Sequence, residues 1–284
     1  MALLLSVLEQ GMIYGILALG VYITYKILDF PDLTVDGSFP FGAAITVRLI
    51  NGFGVPAILT LPIAFLGGAL VGICTGLIHV KLKVRDLLSG IIMMTGLYTI
   101  NLWVAGSGYV AIFDKENIFN NSLVNSITPG FLVNFKNVII IFLITMVAKY
   151  LLDWYMSTKS GFLLRAVGDN DTIVTSLGVD KGLVKIVGLS IANGLVSLSG
   201  CIYAQQQRSF EISIGTGAVV IGLASVIIGT SLFKKVTFFR VTSSVVVGSI
   251  LYKACVAVAM FAGISPNAIK LITAVLFLII LVVS

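Results

Sequence analysis

The sequence predicts an all-α integral membrane protein with about nine transmembrane helices, on the basis of its composition, its apolar runs and its loop charges. Hydrophobic residues make up 58% of the chain and charged residues only 11%, whereas a soluble domain carries roughly 25% charged residues. The mean hydropathy is +1.10. A soluble fold of 284 residues could not hide this much apolar surface from water, so lipid must be one of its solvents.

The predicted spans come from long runs that lack Asp, Glu, Lys and Arg. A helix needs about 20 apolar residues to cross the hydrocarbon core, so short runs separated by a single charge are merged. We expect residues 1–284 to form a single transmembrane domain. Its predicted spans lie near residues 3–25, 36–52, 56–80, 87–107, 135–156, 184–206, 216–233, 240–262 and 267–284.

The gaps between the spans predict the orientation. The gaps at 81–85, 157–185 and 234–240 are rich in Lys and Arg, and cytoplasmic loops collect these residues. The gap at 111–134 is rich in Asn and Ser, and we expect it on the outer face together with 208–215. This assignment alternates consistently along the spans. The net charge of +6 is therefore interpreted as a topological signal, and we expect no nucleic acid partner.

The segment LDFPDLTVDGSFPFG at 28–42 places polar side chains between and into two apolar runs. Proline breaks helices, and a broken backbone is tolerated in lipid only where it is buried in protein or lines a watery cavity. Broken helices of this kind form the binding sites of many transporters. We therefore predict a broken second span in which Asp32, Thr34, Asp36 and Ser38 line a translocation pathway. The alternative is an interfacial loop whose acids cap the second helix.

A second, shorter segment has the same order of residue types. The run from Glu211 to Gly215, EISIG, matches the run from Asp32 to Asp36, DLTVD, as an acid, an aliphatic, a hydroxyl and an aliphatic residue before a new span. Transporters often contain internal repeats with matching sites. Glu211 and Ser213 are therefore further candidates for the pathway, and coincidence is the alternative because the match is so short.

The third predicted span carries glycines at every fourth position: Gly68, Gly72 and Gly76. Such a stripe lets helix backbones approach closely in lipid. The contact is either with another helix of the same chain or with a second copy.

The gap at 157–185 has a pattern of its own. Asp169, Asn170 and Asp171 offer side chains that cap a helix N-terminus, a short amphipathic stretch TIVTSL follows, and Gly178 is placed to end that helix. A short capped helix in a cytoplasmic loop is typical of a docking element for a soluble partner. A helical connector without a partner is the alternative.

These two polar segments carry a resemblance to a known family. The run RAVGDNDTIVTSLGV at 165–179 resembles the coupling loop of ABC importer permeases for branched-chain amino acids or monosaccharides. The run DLTVDGSFPFGAA at 32–44 resembles the segment that opens the broken second helix in the same superfamily. The resemblance covers essentially the whole chain and is greatest to a branch with tryptophan- and tyrosine-type amino-acid permeases. Asp36 departs from the sugar branch, which has glycine at this position.

The resemblance implies a permease subunit of an ATP-driven importer for a small solute, an amino acid and in particular an aromatic one, in a bacterial cell membrane. It implies two ATP-binding-cassette subunits, an extracytoplasmic substrate-binding lipoprotein and a second permease copy, most simply as a homodimer. The residues that it assigns to contact with the ATPase subunits are Arg165, Gly168, Asp169, Asn170, Leu177 and Gly178.

The sequence contains no motif for catalysis. No GxxxxGK[ST] loop, G-x-S-x-G elbow or HExxH pair occurs, so we expect no enzyme and no cofactor in this chain, with ATP bound by the partner subunits. The three cysteines lie apart in apolar runs and predict no metal site. The alternative function is a secondary transporter driven by an ion gradient, with Asp36 as the coupling acid inside the membrane.

Overall fold

The computed structural model describes residues 2–121, 135–176, 178–234 and 240–261, together with the single positions 271, 274, 275 and 278. The α-helices in the continuous ranges are α1 Ala2–Val21, α2 Val35–Phe53, α3 Thr60–Val80, α4 Asp86–Ala105, α5 Lys136–Met156, α6 Lys159–Asp169, α7 Asp171–Ser176, α8 Lys181–Gln207, α9 Ala218–Leu232 and α10 Val241–Phe261. Shorter helical turns are a π-helix at Tyr22–Ile27 and 3-10 helices at Ala57–Leu59 and Ile212–Gly215. Strands β1 Tyr109–Ala111 and β2 Ser209–Glu211 pair antiparallel.

Seven helical segments within the described residues are long and apolar enough to cross a membrane. They are Leu3–Ile27, Ala57–Val80, Asp86–Ala105, Lys136–Met156, Lys181–Gln207, Ile212–Leu232 and Val241–Phe261. The prediction of about nine spans is therefore not confirmed. The second predicted span is the 19-residue helix α2, which carries Asp36 and Arg48 and is less apolar because much of it is enclosed by other helices. The ninth, near 267–284, lies mostly outside the described residues.

Helix α8 is the centre of the bundle, and α1, α2 and α3 all pack against it. The glycine stripe of α3 forms its most extensive contact. A Cβ added to Gly68 would overlap the carbonyl oxygen of Asn193, and one added to Gly72 would overlap that of Leu189, while Gly76 faces Ile186. The stripe therefore serves packing within the chain, as one of the two sequence interpretations has it.

The connections that were assigned to one face of the membrane also lie together in the structure. At the end predicted to be cytoplasmic, the rings of Phe30 and His79 are 5.1 Å apart, and Arg240 Nη1 lies 3.3 Å from the carboxylate of Asp153. At the opposite end, Asn51 donates a hydrogen bond to the carbonyl oxygen of Ala111 at 3.2 Å. Each of these contacts joins segments that the charge pattern assigns to the same face.

The predicted break in the second span is not confirmed. Helix α2 is continuous from Val35 to Phe53 with Pro40 inside it, and the non-helical stretch, 28–34, precedes it. Neighbouring elements in a membrane bundle can accommodate a proline within a helix, and Gly215 packs directly against the Asp36 carbonyl and the ring of Pro40. The entry to α9 is the other interruption, because a 3-10 turn and Gly217, with φ of 86°, separate it from β2.

Candidate functional site

Asp32 is the centre of a buried polar network. Its carboxylate accepts hydrogen bonds from the Thr34 backbone N–H at 2.8 Å and from Nδ2 of Asn193 at 2.8 Å. The Oδ1 atom of Asn193 in turn accepts a hydrogen bond from the Ser38 hydroxyl at 2.6 Å, and the hydroxyls of Thr34 and Thr75 are 3.1 Å apart. All five residues are buried. This network fastens the 28–34 stretch to the middle of α8 and to α3.

Asp36 caps the start of a helix that is distant in sequence. Its two carboxylate oxygens accept hydrogen bonds from the backbone N–H of Gly217 at 3.0 Å and from that of Val219 at 2.8 Å. These are free N–H groups at the start of α9, where the helix dipole also favours a negative charge. The sequence interpretation of a cap on the second helix was wrong in this detail. The capped helix is α9, which starts at a glycine that has no side chain to cap it.

A cavity of about 400 Å³ lies between α2, α4 and the turn that precedes α9. Asn101 forms part of its wall and donates a hydrogen bond from Nδ2 to the carbonyl oxygen of Gly37 at 3.1 Å. Most of the wall is apolar, with a few hydroxyl and amide groups, which is the usual composition of a small-molecule site. The lining residues are Asp36, Gly37, Pro40, Met94, Thr95, Tyr98, Asn101, Ile212, Ser213 and Thr216.

The structure brings some of the candidate pathway residues together and separates others. Asp36 and Ser213 line the cavity, and the Ser213 hydroxyl donates a hydrogen bond to the Glu211 carboxylate. By contrast, Asp32, Thr34 and Ser38 belong to the buried network and are absent from the cavity wall. The matching segments 32–36 and 211–215 therefore meet at one point, where Gly215 touches the backbone of Asp36.

The α4 residues of the cavity were missed by the sequence reasoning. Thr95, Tyr98 and Asn101 stand at intervals of three on α4, so they share a helix face. The available signal was the amide of Asn101 in an otherwise apolar run, since polar groups within a membrane span are costly.

The segment at 157–185, called the coupling segment from here on, contains one helix more than predicted. Arg165, Gly168 and Asp169 lie in α6, whose first turn is capped by the hydroxyl of Thr158, so this part of the segment is not a loop. A Cβ added to Gly168 would overlap the carbonyl oxygen of Ile27. Helix α6 is thus in direct backbone contact with the end of the first span.

The second part of the coupling segment follows the sequence pattern more closely. Asn170 has extended backbone angles and separates α6 from α7. Gly178 has a φ of 76°, and its N–H donates to the carbonyl oxygen of Thr175 at 3.0 Å, which ends α7 in the manner of a glycine C-cap. Asp169 and Asn170 are exposed. Leu177 lies outside the described residues.

A bundle of candidate membrane-spanning helices that lines a cavity beside an irregular turn has the architecture of a membrane transporter. The chain belongs to the family of permease components of branched-chain amino acid transport systems, whose model matches residues 3–282. It is therefore a multi-pass cell-membrane protein of the ABC permease class, as the resemblance in its polar segments implied.

Individual relatives agree with this assignment. The chain is 41% identical to a tyrosine transport system permease protein of Clostridioides difficile (strain R20291), over 97% of this chain and 89% of the relative. It is 26% identical to a ribose import permease protein of Haemophilus influenzae, over 80% and 68% of the two chains. A probable branched-chain amino acid transport permease protein of Methanocaldococcus jannaschii is also 26% identical, over 76% and 70%. No solved structure matches.

Proposed function

We propose that this chain is the permease subunit of an ATP-driven importer that carries an amino acid, in particular an aromatic one such as tyrosine, into the cytoplasm. The observation that supports this most directly is the identity of 41% with a tyrosine transport permease along nearly the whole chain. Two ATPase subunits would bind and hydrolyse ATP, a substrate-binding lipoprotein would deliver the substrate, and a second permease copy would complete the pathway.

The cavity beside Asp36 is the proposed substrate pathway. Its volume of about 400 Å³ lies in the usual range for small-molecule sites. The ring of Tyr98 and the side chain of Met94 offer apolar surfaces for an aromatic side chain. Thr95, Asn101 and Ser213 offer hydrogen-bonding groups for the ammonium and carboxylate ends. The Asp36 carboxylate already accepts two backbone N–H groups, so its proposed role is to shape the pathway.

The proposed coupling runs from α6 to the buried network. Because Gly168 touches the backbone of Ile27, a displacement of α6 by closing ATPase subunits would be transmitted to the 28–34 stretch. That stretch is tied to α8 through Asp32 and Asn193. A movement of α6 would therefore reach the centre of the bundle and bias the equilibrium between inward-open and outward-open states.

An ion-coupled secondary transporter is the alternative that the sequence left open. A coupling acid must exchange a proton or cation during each cycle, whereas both oxygens of Asp36 accept hydrogen bonds from the start of α9. A secondary transporter also needs no cytoplasmic docking helix. The ABC importer is therefore the better supported function.

A cavity-filling variant tests the proposed pathway. Thr95→Trp should fill the cavity and lower tyrosine uptake about tenfold or more, while the protein still assembles with its ATPase subunits. The matched control is Ile100→Trp, on the same helix but outside the cavity wall, which should transport normally. Normal uptake by Thr95→Trp would exclude this cavity as the pathway.

A ligand screen on the cognate binding protein would independently define the substrate.

A further inference from the structure

A basic pocket of about 330 Å³ lies at the end of the bundle that carries the basic loops, between α5, α6 and the start of α10. Arg165 and Arg240 line it beside Asp153. Asp153 accepts a hydrogen bond from the Thr242 hydroxyl at 2.6 Å and forms ion pairs with Arg240 at 3.3 Å and with Lys149 at 3.2 Å. Two arginines thus line the pocket with one carboxylate among the described residues, and Lys149 also pairs with that carboxylate, so the pocket carries a net positive charge.

An apolar groove lies next to this pocket on the side of the membrane. It has a volume of about 290 Å³ and separates α5 from α10, with Met12 of α1 as its floor. Phe142 and Met146 form one wall, and Val247 and Ile250 form the other. At a rise of about 1.5 Å per residue, the α5 wall from Phe142 to Tyr150 is about 12 Å long. Half of the hydrocarbon core is about 15 Å thick, so the groove is nearly one leaflet deep.

The groove and the pocket are direct neighbours. Lys149 lines the groove and pairs with Asp153 in the pocket, and Ser243 in the groove follows Thr242 in the pocket. The pocket also lies at the depth where a membrane ends. Tyr150 is 61% exposed and Trp154 is 68% exposed, and exposed tyrosine and tryptophan side chains mark the membrane–water interface.

We propose that this site binds one anionic phospholipid of the leaflet that faces the basic loops, with its headgroup in the pocket and one acyl chain in the groove. Phosphatidylglycerol has the required chemistry, because its phosphate is negatively charged and its glycerol can donate hydrogen bonds. Arginine guanidinium groups bind phosphate oxygens well, and basic pockets between membrane helices are typical sites for anionic headgroups. The charge of the pocket favours this lipid over a neutral one.

The binding of this lipid would have a consequence for coupling. Arg165 lies on α6, while Arg240 lies just before α10 and Lys149 on α5. A bound phosphate would connect α6 to both helices at the membrane surface. The lipid would therefore stabilise one position of the helix that we propose to contact the ATPase subunits.

Quenching of tryptophan fluorescence by brominated lipids tests the proposal. The chain contains two tryptophans, and Trp103→Phe leaves Trp154, which is one helical turn from Tyr150 at the edge of the groove. This variant is reconstituted into phosphatidylcholine vesicles that contain increasing fractions of brominated phosphatidylglycerol or, separately, brominated phosphatidylcholine. We expect half-maximal quenching at an about fivefold lower fraction of the anionic lipid.

Three further variants of the single-tryptophan protein identify the site. Arg240→Gln and the groove-filling Val247→Phe should remove most of the preference for phosphatidylglycerol, whereas Arg240→Lys should keep it. Lys81→Gln removes an exposed charge from another basic loop and should also keep it. Equal curves for the two lipids in the parent protein would overturn the proposal and would fit a groove filled by protein. An unchanged preference in correctly folded Arg240→Gln and Val247→Phe would overturn it as well.

Discussion

At the scale of single residues, the carboxylates of Asp32 and Asp36 differ sharply although they are one helical turn apart in sequence. Asp32 is buried in a network with Asn193 and Thr34, and Asp36 caps α9 beside the cavity. Both are costly groups inside a membrane protein, and each is stabilised by hydrogen-bond donors. The two acids therefore position backbone elements, and the polar groups that we propose to meet a substrate come from α4 and from the turn before α9.

The role of Asp36 can be separated into charge and capping. Asp36→Ala removes the cap and should lower the free energy of unfolding by about 1 kcal/mol, whereas the single amide oxygen of an asparagine can accept only one of the two N–H groups that the carboxylate accepts. We expect Asp36→Asn to lose less thermal stability in detergent than Asp36→Ala, because one of the two hydrogen bonds remains, and to keep most of the transport. Glu116→Ala, which alters an exposed acid, is the control. A tenfold loss of uptake by a stable Asp36→Asn protein would mean that the charge itself acts in the pathway.

The sequence pattern could identify these acids but not their partners. A proline and two acids at the start of an apolar run indicate a special segment, and that segment does lie beside the cavity. The partners Asn193 and Gly217 are more than 150 residues away in sequence, and nothing in local periodicity connects them to Asp32 or Asp36. Tyr98 was missed for a related reason, because a tyrosine in an apolar run is as compatible with lipid as with a cavity.

At the scale of elements, α6 is the connection between the proposed docking region and the spans. The sequence predicted the short helix that became α7 and its glycine end, but it missed α6. The run KSGFLLRAVGD mixes glycines and charges with apolar residues, and Gly161 and Gly168 disfavour a helix by propensity. Tertiary packing overrides that propensity, since both glycines allow close contact with neighbouring backbone.

The contact at Gly168 predicts a specific defect in coupling. Gly168→Ala adds a Cβ that overlaps the Ile27 carbonyl oxygen, so α6 must shift away from the first span. We expect normal insertion into the membrane with an about fivefold or greater loss of substrate-stimulated ATP hydrolysis in the assembled complex. Gly96→Ala is the matched control, because that glycine is also helical and has no atom within 4 Å of the added Cβ. Equal hydrolysis in both variants would make α6 a simple connector.

Helix α2 is continuous although it contains a proline. Pro40 removes one donor and frees the Asp36 carbonyl, yet the helix continues because α4, α8 and the turn before α9 surround it. The chain instead interrupts the regular spans at 28–34 and before α9. The prolines and glycines of the sequence thus located the irregular region to within a few residues. The irregular stretch precedes α2, however, and does not lie within it.

At the scale of the whole molecule, apolar runs were the most reliable signal. Seven of the predicted spans have a counterpart among the candidate membrane helices, because burial in lipid imposes length and composition directly on sequence. The orientation predicted from Lys and Arg is compatible with the loops that meet at each end of the bundle. It also places α6 and α7 in the cytoplasm, as a contact with ATPase subunits requires.

Labelling of single cysteines tests this orientation. In a background with Cys74, Cys201 and Cys255 replaced by alanine, Lys115→Cys should react with an impermeant maleimide in intact cells. Lys159→Cys should react only after the membrane is permeabilised, because it lies at the start of α6 on the basic side. Both positions are exposed, so access to the side chain is not limiting. Reaction of both cysteines in intact cells would place the coupling segment outside and exclude its proposed role.

The central claim is that this chain moves an aromatic amino acid by coupling to ATP hydrolysis in partner subunits. The most direct measurement is uptake of radiolabelled tyrosine by proteoliposomes that contain the chain, its cognate ATPase and its binding protein. We predict uptake that requires hydrolysable ATP on the ATPase side, requires the binding protein and persists when ionophores remove all ion gradients. Uptake by the chain alone that is driven by an imposed proton or sodium gradient, and that is independent of ATP, would contradict the account.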